Sequence, residues 1–596
     1  MKNNKQEWYI FILLIFVFIL YYPSIFCELT NWDDVGAVIE NPIIRSLSLP
    51  YLKRIFTEVY YWNYQPLLNL SYAIEYYFFG VNSKIIHLDN ILLFLINIFL
   101  VYKFIHLLSG NNTVALVATI LFAVHPTRVE PVIWATTRSY VLYLSFYLLS
   151  LIEYIKYLNK SRGNGTIFQT SKNYFLSIVL FLLACLCKSS AISLIFPLIL
   201  IDFLLRREVN RRYFIDKIPF IIISIAIGLI AIWSAKELDN TSAFNFGERT
   251  QIAGYAILFY LSKFFLPMNL SVFYPYPYHP GELPLYYWIF PCIILILGYF
   301  IYTMKHRRKI VFGFGFFLFS VALMLQFFAV GGCFAADRYG YIPCIGLFYM
   351  AGEGYNYFEQ KVKGSKWGGK ILILLFLAIA LYLSSLTYSR IKVWKNSITL
   401  LTDVIEQYPN KVPLAYNNRG LGKRDKGDTD GALKDFDKAI SLNSNYDMAY
   451  SNRANLKIDR KNYSGALEDL NKSINIKPTD YAYNNRGRIN LILGHYEEAL
   501  SDFNYAAQKA DINLYQILFS RGFVYLQLKR YQQAIDDFTK AIDLNPSFGK
   551  AFFNRGNTKF LMNDIDGACK DWIQAKRFGD QRASQALSEK CYKKVE

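Results

Sequence analysis

The sequence predicts an all-α protein: a polytopic membrane domain followed by a solenoid of stacked helical hairpins. Two observations carry this. In the last third of the chain an arginine is followed sixteen positions later by an aspartate five times, as Arg419/Asp435, Arg453/Asp469, Arg486/Asp502, Arg521/Asp537 and Arg555/Asp571. Successive arginines lie 34, 33, 35 and 34 residues apart, the period of one helical hairpin that buries its apolar face only by stacking on the next. Ahead of this array, runs such as Trp8–Phe26, Leu88–Leu108 and Ile371–Tyr388 are long enough to cross ~30 Å of hydrocarbon. At 596 residues the chain divides into two parts, 1–390 and 391–596.

Loop charge orders the membrane part. The apolar run Trp8–Tyr22 follows Lys2 and Lys5 and has no small residues before Cys27, so it reads as an uncleaved first span. Basic loops stay in the cytoplasm. Placing Lys156–Lys172, Arg206–Lys217, Lys305–Lys309 and Lys361–Lys370 inside puts Cys27–Pro66, His125–Arg138, the stretch around Lys188, Ala235–Gln251 and Gly331–Pro343 outside. Crossing parity then makes Ile252–Leu266 a re-entrant or interfacial helix, followed by an exposed Tyr/Pro-rich stretch, Phe273–Pro284. The total is about eleven spans, with the array outside, opposite the N-terminus.

Composition excludes some functions. A net charge of +19 invites a nucleic-acid reading, but the lysines and arginines collect in short loops between apolar runs, where they set topology. The 47 tyrosines and 48 phenylalanines suit membrane interfaces and helix packing. Eight cysteines give neither a metal framework nor a disulfide framework. Cys185 and Cys187 sit inside an apolar run as small buried residues, and Cys27 and Cys333 both face outward, which leaves a bridge between them open.

Within the array, small residues recur in register at Ala432, Ala466, Ala499, Ala534 and Ala568, and again seven positions later at Ala439, Ser473, Ala506, Ala541 and Ala575. Pro478 and Pro546 close two repeats. Asn-Arg-Gly recurs at 418–420, 485–487 and 554–556. These features resemble the tetratricopeptide repeat over about Pro413–Arg582, with Trp394–Asn410 as the second helix of an incomplete leading repeat and Gln581–Glu596 as a polar capping helix. Repetition at fixed spacing makes the Arg/Asp pairs a packing device; a ligand site would vary between repeats. Partly exposed pairs contribute ~0.5–1 kcal/mol each. The concave face of such a stack binds polypeptide.

The chemistry sits in the outward loops. Asn31-Trp32-Asp33-Asp34 places two acids beside a tryptophan just after the first span. Such a pair suits a general base or a divalent metal ligand, although the loops complete no ligand set. A solvated loop end is the bland alternative. Because adjacent side chains diverge, one of Asp33 and Asp34 acts and the other supports. His125, Arg128, Glu130 and Arg138 follow in the second loop, Lys188 in the third, and Asp337-Arg338-Tyr339 in the last. Arg128, Arg138, Lys188 and Arg338 form a basic cluster at membrane level. Its natural ligand is a phosphate carried on a lipid; snorkelling at the interface is the alternative for any one of them.

The order Trp32-Asp33-Asp34, Gln65-Pro66-Leu67, Leu121–Glu130, Arg138, Lys188, Pro267–Pro275 and Ala336–Pro343, then the repeats, resembles the transmembrane and tetratricopeptide-repeat family. These are glycosyltransferases of the GT-C class, related to protein O-mannosyltransferases. Thr127-Arg128 and Pro131 depart from the family pattern. The resemblance implies a GT-C-like membrane domain and a polyprenyl-phosphate-linked sugar as donor. It implies a protein acceptor presented by the repeats and reaction on the outer face. Asp33, with Asp34 as alternate, would deprotonate the acceptor hydroxyl, and direct displacement would invert the anomeric centre. Arg338 and Lys188 would hold the phosphate, and Arg138 and His125 the phosphate or sugar. Glu130 would orient a basic partner, with Asp337 and Tyr339 beside the donor. No resident cofactor is required. A bacterial inner membrane is the expected setting. The rivals are a membrane-anchored scaffold, a lipid-linked-sugar transporter, and transfer to a glycan or lipid acceptor.

Overall fold

The computed structural model describes residues 2–61, 63–162, 167–234, 244–304, 307–325, 332–510 and 514–591. Parts of the expected loops, at 163–166, 235–243, 305–306 and 326–331, lie outside the described residues, as do 592–596. The chain forms two compact units, Met1–Lys411 and Val412–Glu596.

The first unit is helical apart from one two-stranded antiparallel pair, Tyr274–Pro275 with Cys333–Ala335. Among the described residues, six helices are long and apolar enough to cross a membrane: Glu7–Phe26, Ser83–Ser109, Ala135–Lys160, Arg211–Ser234, Leu285–Thr303 and Gly368–Val393. The count becomes seven if the bent pair Asn112–Val124 and Pro126–Ile133 is one span. The other segments of the expected eleven are helical but too short or too polar to qualify alone, as at Ser171–Cys187, Arg307–Val321 and Cys344–Val362. The helices Arg307–Val321 and Cys344–Val362 approach so closely that a Cβ on Gly346 would lie 2.1 Å from the Gly313 carbonyl oxygen. Small residues are how helices gain contact where lipid is as apolar as leucine.

Side-chain contacts sort the loops into two groups at opposite ends of the bundle, as their charge predicts. At one end Thr136 donates to Asp34, Trp32 meets Phe273, Tyr274 donates to Asp337, and Arg338 pairs with Glu130. At the other, Lys217 and Arg207 pair with Asp202 and Asp216, Lys309 with Glu353, and Asn111 donates to Asn356. Phe246–Phe265 is one continuous helix, begun by an Asn245/Glu248 capping box. Gly281 N donates to Glu248 at one of its ends and His125 meets the Phe264 carbonyl at the other. Both partners belong to the first loop group, so this helix runs along that end rather than crossing. The Tyr/Pro-rich stretch after it departs from expectation: Tyr274 is buried, because its strand pairing draws it under the loop that carries Asp337.

The division between units falls after Lys411 rather than after residue 390. The leading half-repeat, Ser397–Gln407, is anchored in the first unit. Asn31 N donates to Ser397 Oγ, Gln407 donates to the Leu270 carbonyl, and Trp394 packs on Trp134.

The second unit is five helical hairpins, from Pro413–Asp425/Thr429–Leu442 to Gly549–Leu561/Ile565–Arg577, closed by Arg582–Lys590. Each arginine of the five pairs reaches the aspartate of its own hairpin through Nε and Nη2. From the second hairpin on, Nη1 also donates to the preceding one, at Asp437, Asn471, Asn504 and Thr539. The aspartates are buried, so the pairs are tighter than the partly exposed ones expected. A second device shares the sixteen-residue offset. Gly420, Gly487, Gly522 and Gly556 leave room for Phe436, Phe503, Phe538 and Trp572, and the second hairpin has Ala454 over the smaller Leu470.

Two cysteine expectations change. Cys27 and Cys333 are both buried thiols outside any disulfide, while Cys569 and Cys591 form one.

Candidate active site

Two neighbouring acids have opposite surroundings. Asp34 is fully buried and accepts four hydrogen bonds, from Thr30 N (2.8 Å) and Thr30 Oγ1 (2.9 Å) on one oxygen and from Thr136 N (3.0 Å) and Thr136 Oγ1 (2.5 Å) on the other. It pins the first loop to the second. Asp33 takes one hydrogen bond, from Tyr61 Oη at 3.2 Å. Burial pushes its pKa up to about 6; Arg338 opposes the shift, Asp34 adds to it, and the Tyr61 hydrogen bond opposes it. The backbone turn at 33–34 sends one carboxylate inward and leaves the other partly accessible.

Arg338 is the centre of the cationic group. Its Nη1 donates to Glu130 Oε1 at 2.5 Å, and its guanidinium lies over the rings of Trp134 (5.1 Å) and Tyr339 (5.0 Å). The side chain stays 18% exposed while Glu130 is 2% exposed. Glu130 Oε2 is buried without a hydrogen bond among the described residues. Burial raises the Glu130 pKa, with Arg338 holding it down. Lys188 places Nζ 4.3 Å from the centre of the Tyr140 ring. Burial lowers its pKa to about 7, and the nearby Arg338 lowers it further. Asp33, Arg338 and Lys188, far apart in the chain, therefore share one electrostatic neighbourhood, with Tyr140 coupled to Arg338 and Glu130 as well.

The remaining expected residues are held elsewhere. Arg128 is fully buried, donates to the Tyr341 and Gly340 carbonyls and to Thr127, and is ringed by Phe122, Tyr341 and Phe348. Arg138 is 1% exposed and pairs with Glu75, Asn90 and the Ile86 carbonyl. Both guanidinium groups are buried among protein partners, so neither presents a face to a donor. His125 bridges Thr127 and the Phe264 carbonyl, and burial lowers its pKa to about 3, leaving it neutral. Asp337 is buried, accepts from Tyr274 Oη at 2.8 Å, and is raised to about 7 by burial and by Glu130. Tyr339 serves as the platform under Arg338. A cavity of about 450 Å³, lined by none of these site residues, opens between Pro267–Leu270, Arg390 and the leading half-repeat.

Sequence reasoning missed Tyr61, Tyr140 and Thr136. Tyr61 lies in an aromatic run shortly before the Gln65-Pro66-Leu67 motif, and Tyr140 two residues after Arg138; neither has a spacing that marks it. Among the described residues, no group of three or more His, Cys, Asp and Glu is placed to hold a metal.

Fold and site together define a multi-helix membrane unit with a carboxylate and two cations at one end, joined to a tetratricopeptide solenoid. Comparisons agree with both parts. Residues 65–234 match the family described as dolichyl-phosphate-mannose-protein mannosyltransferase, and tetratricopeptide repeat families match 379–411, 414–446 and 515–548. The first repeat match, 379–411, overlaps the helix Ser397–Gln407. The chain is 24% identical over 448 residues to the protein O-mannosyl-transferase F38B6.6 of Caenorhabditis elegans, covering 70% of this chain and 60% of that one. It is 24% identical over 443 residues to the protein O-mannosyl-transferase TMTC4 of Homo sapiens, covering 64% and 58%. To TMTC1 of Homo sapiens it is 30% identical over 164 residues, 26% and 18% of the two chains. The chain thus spans about three fifths of the relatives it matches most broadly. The resemblance to the transmembrane and tetratricopeptide-repeat proteins, read from motif order, holds.

Proposed function

We propose that this protein is a membrane glycosyltransferase that moves a sugar from a polyprenyl-phosphate-linked donor to a hydroxyl on a protein acceptor. The observation that carries the reading is that Asp33 and Lys188 each lie within electrostatic reach of Arg338: a carboxylate with a single side-chain hydrogen bond, a guanidinium that keeps an exposed face, and a lysine whose charge burial disfavours. Its relatives' names, the protein O-mannosyl-transferases, support a protein acceptor and mannose as the first sugar to test.

The chemistry follows from the charges. The lipid tail brings the donor laterally to the bundle end. Arg338 binds the phosphate as it takes up negative charge on leaving. A phosphate next to Lys188 favours its ammonium form, so the donor recruits the second cation. Asp33 accepts the acceptor's proton as the oxygen attacks the anomeric carbon from the face opposite the phosphate, with inversion. Glu130 holds Arg338 in place. Asp34 fixes the loop and takes no proton. No cofactor or metal enters the reaction. The solenoid presents the acceptor. The basic loops of the far end support a reaction on the extracytoplasmic side, and the setting proposed is a bacterial inner membrane.

The test uses the full-length protein in lipid nanodiscs with radiolabelled polyprenyl-phosphate mannose, with and without cell-envelope protein. Label in protein, dependent on Asp33, supports the reading. Label appearing only in lipid or glycan replaces the acceptor, and label in no fraction with any of several polyprenyl-phosphate sugars overturns the enzyme assignment.

A further inference from the structure

The residue that touches Asp33 is held in place by three separate features. Tyr61 has φ +50°, in the left-handed region that a bulky residue enters only when its surroundings impose it. Its ring occupies the space over Gly36, where an added Cβ would lie 2.3 Å from the ring carbon Cε2. The turn is tied down on both sides: Tyr60 Oη donates to the Gly36 carbonyl at 3.0 Å, and Asn63 Nδ2 donates to the Tyr61 carbonyl at 3.0 Å. Strained backbone, a missing side chain and two tethers all converge on one outcome, the phenol donating to Asp33 Oδ1 at 3.2 Å. Asp33 Oδ2 has no hydrogen bond among the described residues, which leaves it as the oxygen that meets an incoming hydroxyl.

We propose that Tyr61 is a positioning residue for the transfer reaction, its hydroxyl fixing the Asp33 carboxylate in the rotamer that presents Oδ2 to the acceptor, and that Gly36 exists to seat it. This rests on Asp33 as the base. The groups facing Asp33 include Asp34 on its own turn, Tyr61 from the following loop and Arg338 from the last loop; those facing Tyr61 include Asp33, Asp34 and Tyr60. A phenol hydrogen bond favours the ionised carboxylate. Tyr61→Phe therefore lowers kcat about tenfold, leaves the KM for the donor unchanged, and moves the acidic limb of the rate profile to higher pH. Gly36→Ala displaces the ring and reproduces both effects, and the double variant adds nothing beyond either single one.

The measurement is the pH dependence of mannosyl transfer by the nanodisc-embedded full chain for wild type, Tyr61→Phe, Gly36→Ala, the double variant and Asp33→Asn. A shifted limb in both single variants, without additivity, supports the inference. An unshifted limb in Tyr61→Phe alongside an inactive Asp33→Asn overturns it and leaves the base in place. Turnover retained in Asp33→Asn overturns the base assignment and the inference with it.

Discussion

Two sets of arginine–carboxylate pairs in this molecule look alike on paper and differ in what is left over. In the solenoid each aspartate accepts Nε and Nη2 of its own arginine, and in three hairpins a lysine one turn on, Lys423, Lys457 or Lys559, adds a third cationic contact. From the second hairpin on, the arginine's remaining nitrogen reaches the preceding hairpin. The bundle end is built the other way. Arg338 gives Glu130 one bond and keeps an exposed face, Glu130 keeps a bare oxygen, and Asp33 has one partner. Saturated charge fixes geometry and unsaturated charge waits for a ligand. Asp34 and Asp33 repeat the contrast within two adjacent residues.

The strongest way to break this contrast is Asp33→Asn. Transfer should fall by about 10²–10⁴-fold, while thermal stability above pH 6 holds or rises, because an amide removes the cost of ionising a buried carboxyl. The wild-type rate should climb with pH through about 6, where Asp33 loses its proton. Arg338→Gln comes next, with about a 10²-fold loss in kcat/KM and a weaker donor dependence, since one anchoring charge at a developing anion contributes about 3 kcal/mol. An unchanged donor dependence in steady-state kinetics would remove Arg338 from the phosphate.

In the solenoid the expected loss is of stability alone. Arg521→Ala leaves Asp537 buried without its partner and should destabilise the array by about 2 kcal/mol, read by chemical denaturation, with turnover on a short acceptor peptide unchanged. Asp34→Asn is smaller again. An amide nitrogen cannot accept, so about 1–2 kcal/mol of loop anchoring is lost, and the acidic limb of the rate profile moves slightly to lower pH, because the neighbouring negative charge that raises the Asp33 pKa is gone. Dialysis against a chelator should change the rate least, by less than about twofold, and a larger drop that divalent metal restores would bring a metal into the site.

Periodic features were legible in the sequence because each is a local rule repeated: the sixteen-residue offset, the small residues in register, the sorting of loops by charge. Nothing local separates Arg128 and Arg138 from Arg338. Each is an arginine in a loop that the charge pattern reads as outward, and what distinguishes them is whether distant backbone carbonyls and Glu75 close around the guanidinium. Likewise Asp33 and Asp34 differ only through Thr30 and Thr136, one of them a hundred residues away. The half-repeat was visible as a helix, but its attachment was not, because that depends on Trp134 and Leu270 meeting it. Tyr61 was silent for the same reason. Its role comes from a backbone angle and from a glycine in another loop.

The disulfide between Cys569 and Cys591 bears on how the stack comes apart. Hairpins that touch only their neighbours peel from a free edge inward. Here the last hairpin and the closing helix are laced into one ring, with Lys590 clasped over Phe560. That edge opens only as a larger piece. In an oxidising compartment proteases therefore meet hairpin and helix as one block, and a thiol reductant should let the helix open by itself.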